Sequence, residues 1–304
     1  MPTNKPILIC VVGPTAIGKT TLAIAIAKAF STEIISADSR QFYKEMTVGT
    51  AVPSTSELAE IKHHFIQNKS IFTNYSVGDF EKEALALLDQ LFVKHPIVVM
   101  VGGSGLYVDA VVKGLDVFPD VNPKIREQLN FELESSGIEV LQKELKEVDP
   151  AYFEKTDIHN PRRVIRALEI FRSSKKPYTS FLRKEENQRN FDPLYIGLTA
   201  EREQIYDRIN RRVDIMIANG LIEEAKSLFS DKELNALQTV GYRELFQHFE
   251  GNLSKEQAVE EIKKNSRRFA KRQGTWFRKN NSINWFDTAD SFSEILSFIK
   301  QKTP

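Results

Sequence analysis

Six apolar residues, Ile7 to Val12, run directly into Gly13-Pro14-Thr15-Ala16-Ile17-Gly18-Lys19-Thr20, and Lys19 to Phe30 then carries the spacing and alanine content of a helix. No other stretch constrains the fold so tightly. A short β-branched run suits a strand buried on both faces, and G-x-x-x-x-G-K-[ST] between such a strand and a helix start is a phosphate-binding loop. The residue types follow from the task. Glycines let backbone N–H groups turn inward around phosphate oxygens, the helix N-terminus adds positive dipole, Lys19 supplies a point charge, and the Thr20 hydroxyl is suited to hold Mg²⁺. Gly13, Pro14, Thr15, Ala16, Ile17, Gly18, Lys19 and Thr20 therefore form a candidate diphosphate or nucleotide site. The loop does not report what is attached to the phosphates, so a kinase, an NTPase and a pyrophosphate-releasing transferase all fit it.

Further apolar runs at Glu33 to Ala37, Ile97 to Val101 and Leu194 to Leu198, with a shorter one at Ile283 to Phe286, predict strands, and Val77 to Val93 predicts a helix. Apolar strands alternating with helices imply a P-loop NTPase-like α/β fold with a doubly wound parallel sheet. From about Pro119 strand-like runs stop, and amphipathic segments follow at Pro123 to Ser136, Ile138 to Val148 and Pro161 to Ser174, then a polar stretch from Lys175 to Asp192. The expected organisation is a first part of the core at 1–118, a mostly helical insertion domain at 119–192, and completion of the core with C-terminal helices at 193–304, the last near Ser291 to Lys300.

At 304 residues a sizeable core is easily buried. Lys plus Arg number 42 against 41 for Asp plus Glu, a net charge of +1, so any affinity for nucleic acid must be local. Charged residues at 27% and hydrophobic residues at 41% argue against disorder and membrane spans. The single cysteine, Cys10, allows neither an internal disulfide nor a cysteine-based metal site. The N-terminal apolar run is too short for a signal peptide, which reads as a cytoplasmic protein with no membrane partner. No oligomer interface is legible, and a monomer is the expectation.

Asp38 follows the second predicted strand at the carboxyl edge, where doubly wound sheets gather ligands. A carboxylate there accepts a proton from a nucleophile or ligates Mg²⁺ through water; a helix cap or turn is the alternative. The third strand runs into Gly102-Gly103-Ser104-Gly105 with no acidic residue at its end, which weakens an ATPase reading, and Ser104 either caps the next helix or touches substrate. On a helical wheel of Ile262 to Phe277, Lys263, Lys264, Arg267, Arg268, Lys271 and Arg272 share about half the circle, opposite Ile262, Phe269, Ala270, Trp276 and Phe277. Six cations on one face form a footprint for a polyanion or a solvated charged face. Arg162, Arg163 and Arg166 make a second basic patch at i+3 and i+4 spacing. Arg212 sits at the margin of an apolar stripe and needs an anion, a carboxylate or a phosphate. His63 and His64 are adjacent rather than at ligand spacing, and Trp276 and Trp285 read as core residues.

These segments together resemble the tRNA dimethylallyltransferase family. The resemblance is carried by the phosphate loop, Asp38-Ser39-Arg40-Gln41-Phe42-Tyr43, Val48-Gly49-Thr50-Ala51, Gly102-Gly103-Ser104-Gly105-Leu106-Tyr107, Asn160-Pro161-Arg162-Arg163, Arg212-Val213-Asp214, Val240-Gly241-Tyr242-Arg243 and Ala270-Lys271-Arg272-Gln273, in family order across nearly the whole chain. It implies transfer of a dimethylallyl group from dimethylallyl diphosphate to N6 of adenosine 37 in the anticodon stem-loop of tRNA, with Mg²⁺ near Thr20. Asp38 would be the general base, and Lys19, Thr20 and Arg212 would stabilise the leaving diphosphate. Matched to the family's tRNA contacts are Asp38, Ser39, Arg40, Gln41, Ser104, Arg126, Arg162, Arg163 and Arg166, together with Leu237, Gln238, Thr239, Val240, Gly241 and Tyr242. The basic helix adds Lys263, Arg267, Lys271 and Arg272. Ser104 stands where the family more often has Thr and keeps the hydroxyl. One cysteine cannot build the zinc finger of eukaryotic relatives. The rival readings are a free-nucleotide isopentenyltransferase, a small-molecule or nucleoside kinase, and an RNA-binding protein without catalysis.

Overall fold

The computed structural model describes residues 5–182 and 188–303. Among them six strands form one parallel sheet: β1 (Ile7–Val12), β2 (Ile34–Ser36), β3 (His63–His64), β4 (Ile97–Gly102), β5 (Asp192–Thr199) and β6 (Ile283–Asp287), in the order β3-β2-β4-β1-β5-β6. β1 lies at the centre, paired along its length with β4 from Ile7↔Ile97 to Val12↔Gly102 and with β5 from Ile7↔Asp192 to Val12↔Gly197. All six of its residues are buried, as its apolar run requires. The pleat sends Leu8, Cys10 and Val12 to one face, against the Val77–Phe92 and Gly105–Lys113 helices, and Ile7, Ile9 and Val11 to the other, against the Lys19–Ala29 and Phe292–Lys302 helices. The sheet is thus doubly wound. β3, a two-residue edge strand, and the Thr55–Glu60 helix before it have no counterpart in the sequence reading.

Trp276 and Trp285 depart from the expected core. Trp285 is 37% exposed because β6 is an edge strand, and Trp276 is 42% exposed. No described helix is long and apolar enough to cross a membrane.

The chain divides into two compact units, one of residues 1–113 with 188–304 and one of 114–187. In the first, the C-terminal helices enclose a further core around Leu221, Leu237, Tyr242, Leu245 and Ile262. The second packs Leu129, Leu141, Leu145, Val164 and Leu168 from the Pro123–Ser136, Ile138–Val148 and Pro161–Ser174 helices, and Arg172 clamps Glu132 (2.7 Å) and Glu144 (2.5 Å). Both edges lie earlier than the expected 119 and 192. Phe118 stacks on Tyr178 with centroids 4.7 Å apart, which places it in the second unit. Arg189 returns the chain to the first through Glu81 (2.6 Å) and the Ala110 carbonyl (2.8 Å) before Asp192 opens β5. Within the polar stretch Lys175 to Asp192, residues 183–187 lie outside the described residues.

Candidate active site in the phosphate-loop cavity

A cavity of about 780 Å³ opens at the carboxyl edge of the sheet, lined by the segments that follow β1, β2 and β4 together with residues of the C-terminal helices. Gly13 ends β1 at φ +144° with the Leu198 carbonyl oxygen only 2.8 Å from where a Cβ would stand, so no side chain fits this turn. Gly18, also at positive φ, caps the Lys19–Ala29 helix. Lys19 Nζ folds back to donate to the Pro14 carbonyl at 2.7 Å.

Lys19, Asp38 and Arg212 line this one cavity. Burial draws the Lys19 ammonium from 10.5 down to about 8; the Asp38 carboxylate opposes the fall and Arg212 adds to it. Burial likewise lowers Arg212, with Asp38 and Glu57 opposing. Arg212 Nη1 donates to Thr15 Oγ1 at 3.2 Å and forms no carboxylate salt bridge among the described residues, so its charge is turned to the phosphate loop. Two cations held close without a full counter-charge create a site for an anion. Asp38 Oδ1 accepts the Arg40 N–H at 3.1 Å, a turn contact that fixes the carboxylate while leaving it at the cavity wall. Thr20 and Asp38 bring hard oxygen donors to the cavity, and no group of three or more His, Cys, Asp or Glu able to hold a metal occurs among the described residues. That donor set fits Mg²⁺, which keeps waters and shares substrate phosphates, rather than a cation caged by protein alone.

Ser104 stands at the N-cap position of its helix, its carbonyl accepting the Val108 N–H at 3.1 Å, but its hydroxyl is turned elsewhere. Its Oγ accepts the Ser39 N–H and donates to Ser39 Oγ, both at 3.1 Å, tying the β4 turn to the β2 turn. The Arg40 guanidinium donates to the Asn235 and Ala236 carbonyls (3.1 and 3.0 Å), and Gln41 Nε2 to the Thr50 and Ala51 carbonyls (3.3 and 3.0 Å). Both side chains brace loops that line the site. Leu237 and Tyr242 are fully buried, so they anchor a segment that presents Gln238, Thr239 and Val240 to the cavity; the Gly241 N–H is held by Glu244 at 2.8 Å.

Of the six cations on the basic wheel, Lys264 and Arg268 bond within their own helix, to Glu261 (2.7 Å) and Asn265 (3.2 Å), and the other four divide into two pairs. Lys263 pairs with Asp214 (2.8 Å) and Glu260 (3.2 Å), and Arg267 donates to Asn210 Oδ1 (2.6 Å), so these two fasten the Lys255–Phe277 helix to the Arg202–Ala218 helix. Lys271 and Arg272 are exposed, and Arg272 lies over the Phe269 ring at 5.6 Å and lines the cavity. In the second unit, Arg126 (2.8 Å) and Arg166 both pair with the buried Glu169, whereas Arg162 and Arg163 are exposed.

Three residues that line the site and one that braces it carry no functional role in the sequence reading. Gln273 is buried between the phosphate loop and the β4 turn, and the Ala270-Lys271-Arg272-Gln273 motif was its only signal. Trp276, read as core, borders the cavity and donates to Asp109 at 2.8 Å. His63 donates from Nδ1 to the Ile61 carbonyl (2.8 Å) and lines the cavity, its Nε2 buried without a hydrogen bond, and burial lowers its pKa. Glu224 accepts the N–H groups of Thr47, Val48 and Gly49 and the Tyr242 hydroxyl, a role no local pattern announces.

The family model described as IPP transferase matches residues 41–280. A tRNA dimethylallyltransferase of Christiangramia forsetii is 58% identical over 295 residues, covering 97% of this chain and 98% of the relative, and one of Flavobacterium johnsoniae is 56% identical over 298 residues, covering 96% of each. Among solved structures, a tRNA isopentenylpyrophosphate transferase of Bacillus halodurans is similar with a TM-score of 0.73 at 38% identity, covering 98% of this chain and 97% of that one. A eukaryotic dimethylallyltransferase described as acting on tRNA gives 0.81 at 25% identity, covering 98% of this chain and 77% of that one.

Proposed function

Because the chain belongs to the tRNA dimethylallyltransferase (IPP transferase) family and is an enzyme that prenylates an adenosine of tRNA, we propose that its donor is dimethylallyl diphosphate and its acceptor N6 of adenosine 37. The observation that carries this is the convergence of the phosphate loop, Lys19, Arg212 and Asp38 on one cavity. In the reaction the bond between the allylic C1 and the diphosphate oxygen breaks, a bond from N6 to C1 forms, and N6 loses a proton. Negative charge grows on the leaving diphosphate. Lys19, Arg212 and the N-terminus of the Lys19–Ala29 helix border the cavity where that charge grows, the arrangement that gives the largest electrostatic return. Asp38, held by its own turn, accepts the N6 proton. Mg²⁺ would be held by Thr20, with Asp38 near it, and would neutralise diphosphate charge. Adenosine 37 lies in a loop, so its base is extruded into the cavity without breaking a duplex, while Gln238, Thr239, Val240, Lys271 and Arg272 face the RNA around it.

Incubation with Mg²⁺, radiolabelled dimethylallyl diphosphate and either unmodified tRNA or adenosine monophosphate tests the reading. Label in tRNA alone is expected. Label in the mononucleotide would move the acceptor to free nucleotides, and label in neither would overturn the donor.

A further inference from the structure

One peptide unit of the phosphate loop is held from both sides. The Pro14 carbonyl accepts from Lys19 Nζ at 2.7 Å, and the N–H of the same peptide, on Thr15, donates to Gln273 Oε1 at 2.8 Å. Gln273 Nε2 in turn donates to the Gly103 carbonyl at 2.9 Å. These partners dictate how the carboxamide points. Turned over, it would set its NH2 against the Thr15 N–H and its oxygen against the Gly103 oxygen, two repulsions in a site where the side chain is buried.

We propose that Gln273 is a positioning residue for the diphosphate: it fixes the plane of the Pro14–Thr15 peptide and so aims the Pro14 carbonyl at the Lys19 ammonium. Proline fixes only its own φ, so the peptide between Pro14 and Thr15 turns through the two torsions beside it unless something grips the N–H. Gln273 is that grip, supplied from a helix 258 residues further along the chain. Its anchor on Gly103 refers the loop to the turn after β4, and the absence of a Cβ at Gly103 is what admits it, since one would stand 2.2 Å from Nε2. Without the grip, Lys19 loses a defined resting place, and the diphosphate must order the loop as it binds.

The inference rests on the diphosphate occupying this loop, and the experiment separates the two. Gln273→Met keeps the volume and removes both hydrogen bonds. Calorimetric titration of the full chain with dimethylallyl diphosphate, and steady-state kinetics with tRNA, should show Kd and KM for the diphosphate raised about tenfold, with KM for tRNA unchanged within about twofold. Should Gln273→Met fail to fold, Gly103→Ala attacks the same clamp with Gln273 in place, and the same diphosphate-selective loss is expected. A folded variant of either kind that binds the diphosphate as the parent does, or that loses tRNA and diphosphate equally, overturns the proposal. A parent chain that binds no diphosphate overturns the site reading itself.

Discussion

Replacing Glu224 by Gln preserves shape and removes charge at the point where the 47–51 segment is fastened. One carboxylate oxygen accepts from Thr47 N (2.9 Å) and Val48 N (2.8 Å), the other from Gly49 N (2.8 Å) and the Tyr242 hydroxyl (2.6 Å). The new amide nitrogen settles on the Tyr242 side, because a phenol can turn to accept, and this leaves the Gly49 N–H facing a donor. One hydrogen bond to a charged acceptor is then lost, about 1.5–3 kcal/mol, and the two on the other oxygen fall to neutral strength, about 0.5–1 kcal/mol each. Partial exposure keeps the sum near the lower end, about 3 kcal/mol. At about 2–4 °C per kcal/mol, thermal denaturation followed by circular dichroism should show Tm lowered by about 6–12 °C. Gly49, Thr50 and Ala51 line the cavity, so substrate KM should rise in the same variant at a temperature where it is still folded. A Tm within about 2 °C of the parent, with unchanged KM, would refute the view that this carboxylate holds the wall of the site.

Asp38→Ala should lower turnover by about 10²-fold or more while tRNA affinity, measured by filter binding, stays near that of the parent; undiminished turnover would remove Asp38 as base. Lys271→Ala combined with Arg272→Ala should weaken tRNA binding and flatten its dependence on salt, whereas Lys263→Ala should chiefly lower Tm, since Lys263 serves Asp214. An unaltered salt slope in the double variant returns that face to ordinary solvation. Lys19 releases its proton near 8 in the folded chain, so affinity for the allylic diphosphate should fall as pH rises through about 8. The same shift has the opposite effect on folding. The unfolded chain keeps the proton to about 10.5, so this group's contribution to stability rises between the two values. Calorimetric Kd values that are level across that window would exclude the ammonium from binding.

What the sequence disclosed follows the reach of its signals. β1, the phosphate loop and the helix after it are contiguous, and a both-faces-buried strand must be apolar throughout, so their positions could be read directly. The order of strands could not, because β1 meets β5 across nearly two hundred residues. A helical wheel identifies faces but not neighbours. It grouped Lys263 and Arg267 with Lys271 and Arg272, while the Arg202–Ala218 helix takes the first pair and leaves the second to solvent. The same wheel put Trp276 on the apolar side, correctly, but that side borders an open cavity at its end. Leu237 and Tyr242 belong to a stretch matched as a whole to tRNA contacts, yet these two side chains build the core beneath it.

The first compact unit is assembled from both ends of the chain, and this sets a timetable for its synthesis. When β4 has left the ribosome, β1 is covered on one side only, its other edge an open row of N–H and C=O groups awaiting β5. At 5–20 residues per second the intervening stretch takes roughly 5–20 s to emerge. Throughout that interval the phosphate loop exists in sequence but lacks Arg212 and Gln273, so the nascent chain is an adhesive, inactive half-sheet until the last third arrives.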